Sequence, residues 1–334
     1  MKNISQFCFF PLVLILLGRG LYSKEDTRGA IEVRIPTYDQ SGRLNWELEA
    51  AEVDIVEEGI YSAKNPKMFI LENRKLTTIA KSNAGLFNIS EGMANGSGNL
   101  FVEGDGFEAI GRPWSFVEDT NEGISRLAFS EQGKIGFEDK PDANFFASGR
   151  KEITGSRVSG VRPVLGNSLE KAPDFSKDFP TTAHAKKIVL DDLGGGERRF
   201  VLQQEVLIEI VDSESNSSET ETSTIVCDRA EIHLGKEGNG RELDTLGKIY
   251  QIHAAGNVQF LQPLRKSSAD ELKWTEESGR VDLLGNAKVF HQKWGEAQGE
   301  KISISEKDGR AEVVGGNQGR SKLLLPALNK TRIP

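Results

Sequence analysis

The chain has 334 residues, 37% of them hydrophobic and 28% charged, with 35 Gly but only 17 Phe, 4 Trp and 4 Tyr. That length has room for two domains, and the apolar content is lean, as thin two-layer β-structures require. A net charge of −8 disfavours nucleic acid, whose phosphates need basic stripes, and it disfavours a polybasic membrane dock.

Residues 1–23 read as an export segment. Lys2 precedes an apolar run from Phe7 to Leu17, after which come Gly18-Arg19-Gly20 and the polar Ser23-Lys24-Glu25-Asp26. The run has the length of a secretory h-region, cleaved near Gly20 or Ser23; the alternative is an uncleaved membrane anchor from Ile4 to Tyr22. Cys8 lies inside the run and not in a lipobox, so no lipoprotein is expected. Cys227 is then the one cysteine of the exported part, which excludes an intrachain disulfide, and it reads as a buried strand residue.

A first module is expected over 28–135. Ala30–Ile35 is a strand, Asp39–Gly42 a turn, and Leu44, Trp46, Leu48 and Ala50 alternate with Asn45, Glu47 and Glu49, so one face is dry and one wet. Val53 and Ile55 continue the pattern, followed by Lys67–Leu71, Thr77–Ala80, Ala84–Ile89 and further strands near Phe107, Trp114 and Leu127. From 136 to 182 the pattern fails among Pro141, Pro163, Pro173 and Pro180, which reads as a linker with one short edge strand near Val158–Val164. A second module spans 183–326, with strands at Ala185–Leu190, Arg199–Leu202 and Glu205–Ile210, a hairpin tip at Gly194-Gly195-Gly196 and a Ser/Glu/Thr loop at 212–222. Residues 327–334 are a tail. No helix of ten residues or more is expected in the exported region.

The second module repeats itself. Asp270–Trp274, a turn at Glu276–Gly279, Arg280–Leu284 and Gly285-Asn286-Ala287 recur as Gly299–Ile304, a turn at Lys307–Gly309, Arg310–Val314 and Gly315, with Gly285 and Gly315 separated by 30 residues. Two short alternating strands per unit signal stacked β-layers, each with an apolar face it cannot bury alone. Upstream, Asp228 begins the same pattern and Gly256-Asn257-Val258 closes it, with 235–247 as a longer intervening turn. A fainter copy runs from Ala84 to Gly98-Asn99-Leu100. Gly and Asn tolerate left-handed backbone best, so the three Gly-Asn pairs suit strand starts where the chain turns a corner between layers.

At these residues the chain resembles the OstA-like lipopolysaccharide-transport family. The second module is similar to LptA-like members through the Asp-x-x-apolar strands (Asp228, Asp270), the closing Gly-Asn elements at Gly256 and Gly285, and Leu324-Leu325-Pro326. The first is similar to LptC-like members through Asp39-x-x-Gly42 before Trp46-x-Leu48-x-Ala50, with Ala84 and Gly98-Asn99-Leu100 beyond. Two such modules on one chain depart from the family's usual arrangement. The resemblance implies an all-β fold, with two antiparallel sheets forming a V-shaped β-jellyroll in each module. It also implies a periplasmic carrier, an inner-membrane ATP-driven transporter as the source of substrate, and edge-strand pairing with other transport proteins.

Alternating strands in facing sheets give an apolar slot, and if the sheets splay the slot holds acyl chains. Its candidate lining is Trp46, Leu48, Phe87, Ile89, Leu100 and Val102 in the first module. In the second it is Ile232, Ile252, Val258, Phe260, Leu272, Trp274, Val281, Leu283, Val289, Ile302, Ile304 and Val313. Ordinary core packing is the competing reading of each. Asp228 and Asp270 read as repeat-determined turn or edge hydrogen-bond formers before an acid–base pair. His184, His233, His253 and His291 lack metal spacing, Gly194–Gly196 lacks the Lys and helix of a phosphate loop, and no Gly-x-Ser-x-Gly elbow occurs, so no catalytic residue, metal or cofactor is expected. Two other classes stay open: a structural or adhesive surface β-solenoid, and a carbohydrate-active β-helix enzyme, which would need clustered Asp, Glu or Arg on one exposed face.

Overall fold

The computed structural model describes residues 29–38, 42–72, 75–119, 124–139, 179–212, 221–235, 247–292, 295–305, 310–315 and 321–324. The expected export segment, edge strand near 158–164 and tail lie outside these residues. In chain order the strands are β1 (Gly29–Tyr38), β2 (Leu44–Glu57), β3 (Ile60–Lys64), β4 (Lys67–Glu72), β5 (Lys75–Ser82), β6 (Ala84–Asn88), β7 (Met93–Gly96), β8 (Leu100–Gly104), β9 (Phe107–Asp119) and β10 (Ile124–Phe137). They continue as β11 (Thr181–Ala185), β12 (Lys187–Gly194), β13 (Glu197–Asp212), β14 (Glu221–Leu234), β15 (Ile249–Leu261), β16 (Arg265–Thr275), β17 (Arg280–His291), β18 (Gly295–Ser305), β19 (Arg310–Val314) and β20 (Lys322–Leu324). Every pairing is antiparallel, and the described residues contain no helix. The fold is an all-β jellyroll.

Long strands bend once, and each half joins a different sheet. In β2, Trp46–Glu49 pairs β4 while Glu52–Glu57 pairs β3. In β9, Phe107–Gly111 pairs β8 while Trp114–Val117 pairs β7. The bends line up as one crease. Sheet 1 runs β1-β2-β4-β5-β8-β9-β10-β11 and then through one half of each of β13 to β18 to β20. Sheet 2 runs β1-β2-β3-β6-β7-β9-β10-β12 and then through the other halves of β13 to β18 to β19. The strand ends away from the crease form the two lips of the mouth.

The crease explains the Gly-Asn pairs and corrects their placement. Gly256 (φ 77°) and Asn257 (φ 49°) sit inside β15, and Gly285 (φ 71°) and Asn286 (φ 47°) inside β17, so these are the middles of long strands and not strand starts. Two successive left-handed residues insert a bulge that swings the strand from one sheet into the other. A carboxylate from the neighbouring strand fixes each: Asn257 Nδ2 donates to Asp228 Oδ2 at 2.8 Å, and Asn286 Nδ2 to Asp270 Oδ2 at 2.9 Å. Most of the expected short strands of the repeat are accordingly parts of strands 11 to 14 residues long, whereas Arg310–Val314 is a strand of 5 residues. Gly98-Asn99 also lies at the corner, between β7 and β8, but neither residue is left-handed, so the third pair is a different device.

The two halves of the chain share one ladder. β10 pairs β9 on one side and β11 and β12 on the other, so the sheets cross the middle of the sequence without a break. β10 extends to Phe137 and β11 begins at Thr181, which places Gly136, Phe137, Thr181 and Thr182 in strands at the ends of the expected linker.

Candidate functional site: the interior between the sheets

Cross-strand register assembles the interior from single rows. In sheet 2 one row runs Ile55, Tyr61, Phe87, Ala94, Phe116, Leu127, Leu190, Phe200, Ile232, Ile252, Trp274, Val281, Ile304, Ala311, each opposite the next. In sheet 1 the matching row is Ile35, Leu48, Met68, Ala80, Val102, Ala109, Ile135, Ala183, Ile208, Ile225, Phe260, Ser267, Val289, Ala297, Leu323. A strand side chain two positions along points to the same face, so each row has a parallel neighbour, which in sheet 2 carries Leu272, Leu283, Ile302 and Val313. Together the rows form one hydrophobic cluster from Trp46 to Ile304.

All the candidate lining residues except Ile89 lie on the inward-facing rows; Ile89 is at the lip after β6, half-buried. Trp46, Leu48, Phe87, Leu100, Val102, Ile232, Ile252, Val258, Phe260, Leu272, Trp274, Val281, Leu283, Ile302 and Ile304 are at most 5% exposed, so the sheets are packed together over most of their length and do not splay. The interior opens at its ends. In sheet 1 exposure climbs from Phe260 (0%) through half-buried Val289 and Ala297 to Leu323 (64%). In sheet 2 it climbs towards the other end, from Phe87 (0%) through Tyr61 to Ile55 (53%).

Polar groups tie the lips together. Glu118 of β9, in sheet 2, accepts from Trp46 Nε1 of sheet 1 at 2.7 Å and from Asn45 Nδ2. Near the middle, Phe107 and Phe137 of sheet 1 both pack edge-on against Phe200 of sheet 2, with ring centroids 5.0 and 5.2 Å away. Beside them Arg198, 1% exposed, reaches from sheet 2 to the carbonyls of Thr77 and Asp105 in sheet 1. The Ile249 amide donates to Asp139 Oδ2 at 3.0 Å across the same gap. Sequence reasoning missed Arg198 and Glu118, although alternation carried the signal: Arg198 shares a face with Phe200 and Leu202, and Glu118 with Phe116 and Trp114.

On the outer face charged side chains pair across strands. Asp191 lies buried between Arg126 (2.7 Å) and Arg199 (2.6 Å). Burial alone would raise its pKa, but the two guanidinium bonds outweigh this and hold the carboxyl below the usual range. The four histidines are half-buried on strands. Burial lowers His184, with Lys134 adding to the effect, and burial likewise lowers His233. Burial pushes the Cys227 thiol up to about 12, so it is no nucleophile. Asp228 and Asp270 are engaged at the crease, as hydrogen-bond acceptors of the repeat. A groove of about 510 Å³ near the crease is lined by the charged Arg112, Glu131, Lys134, Lys186 and Glu205 together with apolar groups such as Ile110 and Ala185.

No protein-family model matches the chain, and no curated protein matches it. Among solved structures it is similar to LptH of Pseudomonas aeruginosa, described as the LptA-homologous periplasmic component of the lipopolysaccharide transport device. The identity is 17% and the TM-score 0.32, over 44% of this chain and 95% of LptH.

Proposed function

We propose that this protein is a non-catalytic periplasmic carrier that holds the acyl chains of lipopolysaccharide, or a related glycolipid, between its two sheets and passes them along the envelope. The observation that carries the reading is the pair of unbroken inner rows, which run through both halves of the chain and emerge exposed at Ile55 and Leu323. An ordinary core is sealed all round; here apolar rows run out at the edges of the sheets. Each methylene sheltered there contributes about 0.8 kcal/mol, so several acyl chains are held without a catalytic group or metal. Sugars and phosphates would stay in water.

Assembly follows the same logic. Among the described residues β1 has a neighbour on one side only, as do β19 and β20, so both ends of the ladder offer backbone donors and acceptors to a partner strand. In this reading one end meets the inner-membrane ATP-driven transporter complex and the other the next transport protein, with an uncleaved export segment as an optional tether.

A photo-crosslinking amino acid placed in cells at Val313 or Leu323, on the inward rows, is expected to trap glycolipid, identified by mass spectrometry of the adduct. The same group at Glu312, on the outward face of β19, is expected to trap little. Equal trapping on both faces refutes the carrier. Turnover of a glycan by the purified protein would support the enzyme class instead, and neither adduct nor turnover the surface solenoid.

A further inference from the structure

The tie near the middle of the mouth is not ordinary core packing. Gly106, in the turn between β8 and β9, and Gly247, just before β15, both have φ near +80°, and their backbones touch. A Cβ on Gly106 would lie 2.4 Å from the Gly247 Cα, and one on Gly247 2.6 Å from the Gly106 Cα, so only glycine allows this approach. Gly106 lies at the lip of sheet 1 and Gly247 at the lip of sheet 2.

Arg198 completes the tie in an under-satisfied way. Its guanidinium donates to two neutral carbonyls, Asp105 O and Thr77 O, each at 3.2 Å, and stands 5.4 Å from the centroid of the Phe107 ring. The nearest carboxylate oxygen described, Asp192 Oδ2, is 3.8 Å from Nε, and Nε itself has no hydrogen-bond partner. A buried cation facing mainly neutral acceptors, with its one described carboxylate 3.8 Å away, gives up hydration that its partners return only in part.

Resting on the carrier reading above, we propose that Arg198 and the Gly106–Gly247 contact form a releasable clasp. Closed, it shuts the mouth where the two halves of the chain meet; open, it admits acyl chains sideways into the interior. The Phe107, Phe137 and Phe200 rings behind it are the surface that opening would offer to lipid.

The full chain carrying Asp105→Cys and Lys248→Cys, one substitution beside each touching glycine, tests this. With the pair oxidised, uptake of purified lipopolysaccharide from micelles is expected to be at least tenfold slower than with the pair reduced. Arg198→Met keeps the apolar stem and drops the donors, and should speed amide exchange in Phe107–Ala109 and Ile249–Ile252 about tenfold or more over the parent; Arg198→Lys should fall between. Equal uptake by the oxidised and reduced forms, or unchanged exchange in Arg198→Met, overturns the clasp and leaves the carrier standing. No uptake by any form, the parent included, removes the carrier and with it the admitting role of the clasp. If Arg198→Met does not fold, the cysteine pair decides alone.

Discussion

Replacing Gly285 with Ala probes the crease directly. The residue sits at φ 71°, where an L side chain costs about 1–2 kcal/mol. The new methyl would also lie 2.4 Å from Asp270 Oδ2 and 2.9 Å from Asp270 Cβ, so the carboxylate must turn away and release Asn286 Nδ2, which it accepts at 2.9 Å. That exposed bond is worth about 0.5–1.5 kcal/mol. The sum is a loss of about 1.5–3.5 kcal/mol, read as a lower urea midpoint in an unfolding curve followed by tryptophan fluorescence; Trp274, 2% exposed and four residues beyond Asp270, is the natural reporter. Asp270→Gly removes both clashing atoms, so in that background Gly285→Ala should cost only the backbone part, about 1–2 kcal/mol, leaving a coupling of about 1 kcal/mol. Gly98→Ala is the control: a Cβ there meets nothing within 4 Å and the backbone is not left-handed, so stability should hardly change. An equal cost for Gly285→Ala in both backgrounds, or a comparable cost at Gly98, refutes the account of the crease.

Two further outcomes follow from the outer face and from the buried thiol. Asp191 has a folded pKa below its unfolded value, so its contribution is present above about pH 4 and is lost as pH falls through the folded pKa; Asp191→Asn should remove that acid limb from the stability profile, and an unchanged limb would exclude the Arg126–Asp191–Arg199 cluster as its source. Cys227, 4% exposed with its thiol raised to about 12, should resist a thiol reagent at pH 8 until urea unfolds the chain, and labelling at a free-thiol rate in the folded protein would contradict that burial.

Strand positions were legible because alternation survives wherever one face is dry. Leu44 to Ala50 and Val281 to Leu283 fall in strands with the expected residues inward. What the sequence hid is that these strands are bent. A left-handed pair adds residues to one strand and interrupts the period of two, so Gly256-Asn257 and Gly285-Asn286 look like boundaries when they are hinges within a strand. Gly98-Asn99 looks the same on paper and behaves differently; the two true hinges have an Asp carboxylate across from them, and that pairing is a property of the folded ladder. The lining residues were legible as apolar and inward, but their closure was not, because it depends on contacts between the lips. Arg198, Glu118 and Gly106 each meet a residue of the opposite sheet far away in sequence, Arg198 reaching Thr77 across 121 positions.

The seam inside the chain sets a rule for any partner at its ends. Across the middle, the rows continue as Phe116, Leu127, Leu190, Phe200 in one sheet and as Ala109, Ile135, Ala183, Ile208 in the other, with no slip. A slip of one residue would turn every inward side chain outward. The register is held by the irregularity between Phe129 and Gln132 on β10 and by the left-handed Gln204-Glu205 on β13. A strand added to β19 and β20 faces the same demand: it must set apolar residues opposite Ala311 and Val313 in one half and Leu323 in the other, with its own bend at the crease between them. β1 has that form, since Ile35 and Val33 lie on one side of the left-handed Glu32 and Ala30 on the other, facing Leu48, Ala50 and Val53. An edge strand with a matched bend would extend the interior, whereas a straight one could pair with only one sheet and leave the other row uncovered.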